Sequence, residues 1–206
     1  SYDVCECGAP LQRMERETPT PKGAEIVLKV IAAGVCHSDL HIWDGYYDIG
    51  GGQKLQLKDR GIKLPITMGH ENVGEVIAVG PDAPNLKNGG VKVGDVRLVH
   101  PWMGCGECAV CKRGEENLCL KPCSVGIHRG GGFATHLLVP HPRYLFDIGA
   151  IPPERAAPLA CSGVTAYSAL NKIGPEMLAS EPVVMIGAGG VGLMAIALHK
   201  AMGGKS

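Results

Sequence analysis

Over roughly the first two-thirds of the chain, apolar and polar residues run in short bursts, each closed by glycine or proline. Glu25-Ile-Val-Leu-Lys-Val-Ile31 predicts a strand, entered through the turn-forming Pro21-Lys-Gly23. Asn72-Val-Gly-Glu-Val-Ile-Ala-Val-Gly80 predicts a second, ended by Gly80-Pro81, and Val93–Val99 and Phe133–Val139 follow the same style. Short strands with such regular punctuation suit a barrel or a sandwich. The turn-rich stretch from Ile42 to Leu64 reads as a long surface loop. The pattern changes near Pro152. Pro153–Ala160 opens an alanine-rich, helix-prone region running towards Leu170. Pro182-Val-Val-Met-Ile186 then predicts a short buried strand that leads into Gly187-Ala-Gly-Gly-Val-Gly192, and Leu193–Met202 predicts a helix. A domain boundary is expected between residues 150 and 160.

Composition narrows the classes. The chain has 206 residues, 45% of them hydrophobic, with 20 basic residues against 20 acidic ones. Zero formal charge argues against a nucleic-acid or membrane-surface partner, and an aromatic content of 4% leaves few base-stacking platforms. The longest uncharged apolar run, Val183–Leu198, carries four glycines and is too short for a bilayer span. Nine cysteines and no secretory signal pattern fit reduced thiols in the cytoplasm.

Those thiols carry the first chemistry. Cys105, Cys108, Cys111 and Cys119 follow C-x2-C-x2-C-x7-C, a spacing that can close four thiolates around one zinc ion. An iron–sulfur cluster would want its fourth cysteine sooner and a proline after it. Disulfides would want an oxidising compartment. Cys123 reads as a spare buried thiol. The second signal is Gly187, Gly189 and Gly192, a G-x-G-x-x-G between a predicted strand and a predicted helix. There the glycines permit a tight turn, close approach to a pyrophosphate, and close packing of helix on strand. The acid that would bind the adenosine ribose is expected just past Ser206, so the chain reads as part of a longer protein. A third set, Cys36, His70 and Cys161, has the composition of a catalytic zinc site, Cys₂His with an open position. By spacing alone, Cys36 and Cys161 read rather as buried structural thiols, and His70 with Glu71 as an ordinary polar pair.

Taken in order, Val35-Cys-His-Ser-Asp-Leu-His41, Lys63-Leu-Pro-Ile-Thr-Met-Gly-His-Glu71, the four-cysteine run, Cys161 and Gly187–Gly192 resemble the zinc-dependent medium-chain alcohol dehydrogenases, in their bacterial and archaeal branch. The resemblance implies a mixed β and α/β fold: a GroES-like, partly open β-barrel catalytic domain over residues 1–155, with a structural-zinc lobe at about 100–123. The start of a Rossmann domain would follow over 156–206. It implies two zinc ions per chain, a catalytic one on Cys36, His70 and Cys161 and a structural one on the four clustered cysteines. It also implies NAD or NADP as cofactor, the choice resting on a position past Ser206. Glu71 would be a carboxylate able to approach the metal, and Asp39 the acid that orients the histidine ligand. Ser38 would bond the substrate alcohol, and His41 would form the outer end of the proton relay. His37 would face the cofactor pyrophosphate, Thr165 would lie near the nicotinamide, and Gly187, Gly189, Gly190, Val191 and Gly192 would cradle the phosphates. Trp102 would line the substrate pocket. The implied reaction is hydride transfer between a small alcohol and the nicotinamide, giving an aldehyde or ketone, in a dimer or tetramer of the full-length protein. A polyol or cyclic-alcohol dehydrogenase and a noncatalytic zinc-stabilised module are the alternatives.

Overall fold

The structure is a computed structural model that describes residues 1–83 and 90–205. It divides into two compact units, Ser1–Ala157 and Pro158–Ser206.

The first unit is mostly strand. Its elements are β1 (Tyr2–Val4), β2 (Gln12–Arg13), β3 (Ile26–Gly34), helix α1 (His37–Asp44), β4 (Tyr46–Asp48), β5 (Lys54–Gln56), β6 (Ile66–Thr67), β7 (Glu71–Val79), β8 (Val96–Val99), helix α2 (Ala109–Lys112), β9 (His136–Val139), β10 (Leu145–Asp147) and helix α3 (Pro153–Ala156). All pairings are antiparallel, in one sheet ordered β2-β1-β6, a second ordered β10-β8-β7-β3-β9, and the hairpin β4-β5. Residues 131–135 join the two larger sheets. Gly131 and Phe133 donate to the carbonyls of Thr67 and Met68 at 2.8 and 3.0 Å, and the Thr135 carbonyl accepts from Val30 at 2.9 Å. One run therefore serves both sheets without closing them into a single barrel.

The long strands β3 and β7 form the spine of the larger sheet. Their register slips between Val27 and Leu28 and again between Val30 and Ala32. The second slip leaves Ile31 unpaired and half exposed. Such bulges bend a strand and increase its twist. Inside the sheet, Ile26, Leu28, Val76, Val99, Met103, Val125, Leu137 and Val139 form a single apolar cluster.

Two expectations are corrected here. The stretch from Ile42 to Leu64 is no simple surface loop. It holds the end of α1, the β4-β5 hairpin and a 3-10 turn at Leu57–Arg60. Ile42, Leu57 and Ile62 are buried with Val4, Ile66, Met68 and Ile127 in a second core. Three apolar residues spaced along a turn-rich run were enough to sink it. The run Pro182–Ile186 forms no strand, and Ile186 is 99% exposed. A strand needs at least one hydrogen-bonded neighbour, and the described residues supply none. The rest of the second unit is helical: α4 (Ser162–Asn171), α5 (Pro175–Ser180) and α6 (Gly190–Ala201), with α4 packed on α6. The alanine-rich run is therefore broken into α3, a 3-10 turn at Ala157–Ala160 and α4. No helix among the described residues is long and apolar enough to cross a membrane.

At the small sheet, Asp3 is 1% exposed and bonds the Thr67 hydroxyl at 2.7 Å and the Arg16 guanidinium. Burial pushes its carboxyl up, but the hydrogen bonds from Arg16, Thr67 and Ser1 outweigh burial and hold it below the ordinary value of 3.8. A lowered acid stabilises the fold above its unfolded value, and that stability is lost as pH falls through the folded one. Replacing Asp3 by Asn should cost about 1–3 kcal/mol at neutral pH. The same variant should lose less stability than the wild type between about pH 5 and about pH 2. Urea unfolding at the two pH values tests both; parallel losses would remove Asp3 from the acid response.

Candidate metal centres

The four-cysteine segment folds as a small lobe. Cys108 caps α2, its sulfur accepting the Cys111 N–H at 3.5 Å. The sulfurs of Cys105 and Cys111 are 3.9 Å apart, those of Cys108 and Cys111 3.5 Å, and those of Cys108 and Cys119 3.9 Å. A zinc ion with four sulfurs at about 2.3 Å would space them about 3.8 Å apart, so this donor set fits zinc without rearrangement. Backbone N–H groups of Cys105 and Lys121 donate to Cys119 Sγ, at 3.4 and 3.3 Å. Backbone donors from Glu107 and Cys108 pull the Cys105 thiol down to about 6, whereas burial, ahead of the neighbouring sulfurs, pushes Cys111 up to about 12. Gly104 passes so close to Cys111 Sγ that a β-carbon would stand 2.5 Å from it. Cys123 is half-buried and donates to the Gly104 carbonyl at 2.9 Å.

Glu116, overlooked in the sequence, ties the lobe to the sheet. One carboxylate oxygen accepts from Gly104 N–H at 3.0 Å and from the Tyr144 hydroxyl at 2.6 Å, and the other pairs with Arg143 at 2.8 Å. Its position three residues before a cluster cysteine was the available signal.

The second centre is assembled from β3, α1 and β7. Ligand atoms of Cys36, His70 and Glu71 lie within 4.8 Å of one another. Cys36 caps α1, and its backbone N–H donates to Asp39 Oδ2 at 2.8 Å. Asp39 Oδ1 accepts from Gly69 N–H at 3.2 Å and stands 3.5 Å from His70 Nδ1. One buried carboxylate thus fixes the start of the helix, the turn before the histidine, and the ring. His70 is fully buried, and neither ring nitrogen has a hydrogen-bond partner. Burial pulls its imidazole down, but Asp39 and Cys36 outweigh burial and lift it to about 9. Burial and the negative neighbours Cys36 and Asp39 raise Glu71 to about 7, against an opposing pull from His70. Glu71 faces Gly34 across the ladder, where a β-carbon would collide with its carboxylate. A buried imidazole with no partner, beside a thiol and a carboxyl, is the donor set a cation would satisfy.

The remaining predicted residues fall as follows. The Cys36 thiol donates to Ser38 Oγ at 3.9 Å. His37 is exposed, and its ring meets His41 edge-on at 4.7 Å between centroids. On its other side the His41 ring lies 4.9 Å from Tyr47, which Arg60 covers at 4.6 Å. Trp102 is half-buried, with its ring 5.7 Å from His70. In the second unit, Cys161 is buried immediately before α4, and exposed Thr165 donates its N–H to the Cys161 carbonyl at 3.0 Å. Gly187 has φ +96°, Gly189 caps α6, and the loop rims a depression of about 470 Å³ bounded by Met185–Gly187, Gly189–Gly192 and Ala195. A β-carbon on Gly192 would collide with the Gly187 carbonyl.

Metal uptake by the lobe must displace protons, because Cys111 holds its own at neutral pH. Apparent zinc affinity of the four-cysteine site should rise between about pH 6 and about pH 8, with proton release seen by calorimetry in buffers of different ionisation enthalpy. Binding independent of both pH and buffer would contradict the protonation pattern.

Known proteins supply the context. The alcohol dehydrogenase GroES-like domain family matches residues 22–150, a span holding Cys36, His70 and all four lobe cysteines. A curated NAD-dependent alcohol dehydrogenase of Sulfurisphaera tokodaii is 42% identical over 98% of this chain, and a D-arabinose 1-dehydrogenase (NADP(+)) of Saccharolobus solfataricus is 34% identical over 94%. The chain spans 55% and 51% of those proteins. Among solved structures, an alcohol dehydrogenase of Thermotoga maritima superposes with a TM-score of 0.83 at 28% identity, covering 99% of this chain and 55% of that one. One from Aeropyrum pernix gives 0.80 at 30% identity, covering 98% and 56%. Since the matched span covers more than half of the chain and holds the whole five-stranded sheet and the cysteine and histidine clusters of the first unit, the chain belongs to the alcohol dehydrogenase GroES-like domain family.

Proposed function

We propose that this chain carries the zinc-binding catalytic part of a dehydrogenase that moves hydride between an alcohol and NAD or NADP. The observation that carries this reading is the fully buried His70, whose ring nitrogens lack hydrogen-bond partners beside Cys36 and Glu71. In this reading Cys36, His70 and Cys161 hold the catalytic zinc, and Cys105, Cys108, Cys111 and Cys119 hold a structural one. When bound, the first zinc supplies Lewis acidity to the substrate oxygen. Two thiolates and an imidazole leave that ion formally neutral, whereas four thiolates leave the second doubly negative and closed, so the division of labour follows from ligand charge and count.

The chain's own groups do the rest. Asp39 orients the His70 ring through Nδ1 and so makes it a better ligand. Ser38, beside Cys36, accepts the proton of the substrate hydroxyl, and His41 passes it to solvent, since an imidazole suits proton transfer near neutral pH. Trp102, against His70, walls the substrate side. His37 faces the cofactor pyrophosphate, which the Gly187–Gly192 loop and the N-terminus of α6 receive, and Thr165 lies by the nicotinamide. The likeness to a D-arabinose dehydrogenase supports a sugar or polyol as the second substrate class.

Zinc counting on the full-length polypeptide tests the reading. About two zinc ions per chain are expected, one for each ligand set. Cys36→Ala should remove one and abolish turnover, and Ser38→Ala should retain both while lowering kcat by about 10²–10⁴-fold. A Cys36→Ala protein that keeps its full zinc complement would reject the catalytic assignment and favour a noncatalytic module.

A further inference from the structure

The surroundings of His70 contain a polar side chain that the fold does not need. Asn72 is the second residue of β7, between Ala33 of β3 and Val99 of β8, and is 1% exposed. Its amide nitrogen donates to the Gly69 carbonyl at 2.9 Å, while its Oδ1 is buried without a hydrogen-bond partner. A buried amide half-satisfied in this way costs stability where an apolar residue would not. Nor does the Gly69 carbonyl depend on it for satisfaction, since Gly132 N–H already donates there at 2.8 Å. Stability therefore gives no reason for an asparagine at this position.

Geometry does. Gly69 has φ +91°, and glycine alone moves easily between the two hands of the backbone. The peptide that precedes Gly69 is held by Asp39 through the Gly69 N–H. The peptide that follows it, whose nitrogen belongs to His70, is held through its carbonyl by Asn72 and Gly132. The imidazole makes no hydrogen bond, and Asp39 Oδ1, 3.5 Å from Nδ1, steadies one edge of it by charge. The point from which the ring departs is set by the Gly69–His70 peptide. We propose that Asn72 is a positioning residue that locks this peptide plane and so aims the His70 imidazole into the metal centre. The inference rests on the metal-site reading above.

The test uses zinc- and cobalt-loaded full-length protein with Asn72→Leu, which matches the branched shape, and Asn72→Ala, which cannot crowd Gly132. Chelator competition should show zinc held about 10–100-fold more weakly at the Cys36–His70 site, the size typical of losing a group that orients a ligand. The cobalt ligand-field spectrum of that site should change, while zinc in the four-cysteine lobe stays put and the melting temperature of the zinc-free protein does not fall. Affinity within about twofold of wild type and an unaltered cobalt spectrum in both variants would overturn the proposal. A variant that also loses the lobe zinc is misfolded, and Asn72→Asp, of the same shape without the amide donor, then carries the comparison with the same expected loss. If the wild-type protein binds zinc only at the four cysteines, the metal reading fails, and the role of Asn72 fails with it.

Discussion

The carboxylate of Asp39 is the point on which the first unit's chemistry depends. It is 2% exposed and serves three partners in three segments: the Cys36 N–H, the Gly69 N–H and the His70 ring. The two backbone N–H bonds are of the kind worth about 1.5–3 kcal/mol each, and the ring stands 3.5 Å from the same carboxylate. They also impose geometry. Sheet pairing brings Gly34 opposite Glu71, and Asp39 draws the helix start against the turn before His70. Cys36 and His70, far apart in sequence, become neighbours through one side chain three residues beyond the cysteine.

The two cysteine-bearing centres are built on opposite plans. The lobe is local: all four sulfurs come from residues 105–119, and a single turn of helix sets their spacing. It needs the sheet only as a mount, and Glu116, Arg143 and Tyr144 provide the bolts. The centre at His70 is the reverse. Its residues come from the ends of strands that must first pair, so it forms only when the larger sheet does. A metal in the lobe braces a loop, whereas a metal at His70 would hold separate strands in register.

This difference explains what could be read from the sequence. The lobe was legible because thiolate spacing is a short-range signal. The spine strands were legible because Ile26–Ile31 and Asn72–Val79 are apolar runs closed by glycine. The core role of Ile42, Leu57 and Ile62 was not, since three apolar residues among turn formers carry no period. The run Pro182–Ile186 misled for a different reason: strand propensity is realised only against a partner. Composition could offer Cys36, His70 and Cys161 as a zinc set, but spacing could not prefer that to buried thiols, and the preference came from the resemblance. Asn72 and Glu116 stayed hidden because what they do depends on which carbonyl or hydroxyl they meet, and that is a property of the fold.

Gly69 sits inside a collar of backbone. A β-carbon on Gly69 would strike Phe133, one on Gly126 or Gly131 would strike the Gly69 carbonyl, and one on Gly132 would strike the Asn72 side chain. In three of these cases a main-chain atom is in the way, and a main-chain atom cannot swing aside as the tip of a lysine can. The neighbourhood of the histidine is therefore closed to drift at positions that carry no chemistry. A map of this protein drawn from tolerance to substitution would be dark over four residues without side chains, and would find the histidine by the outline of the space around it.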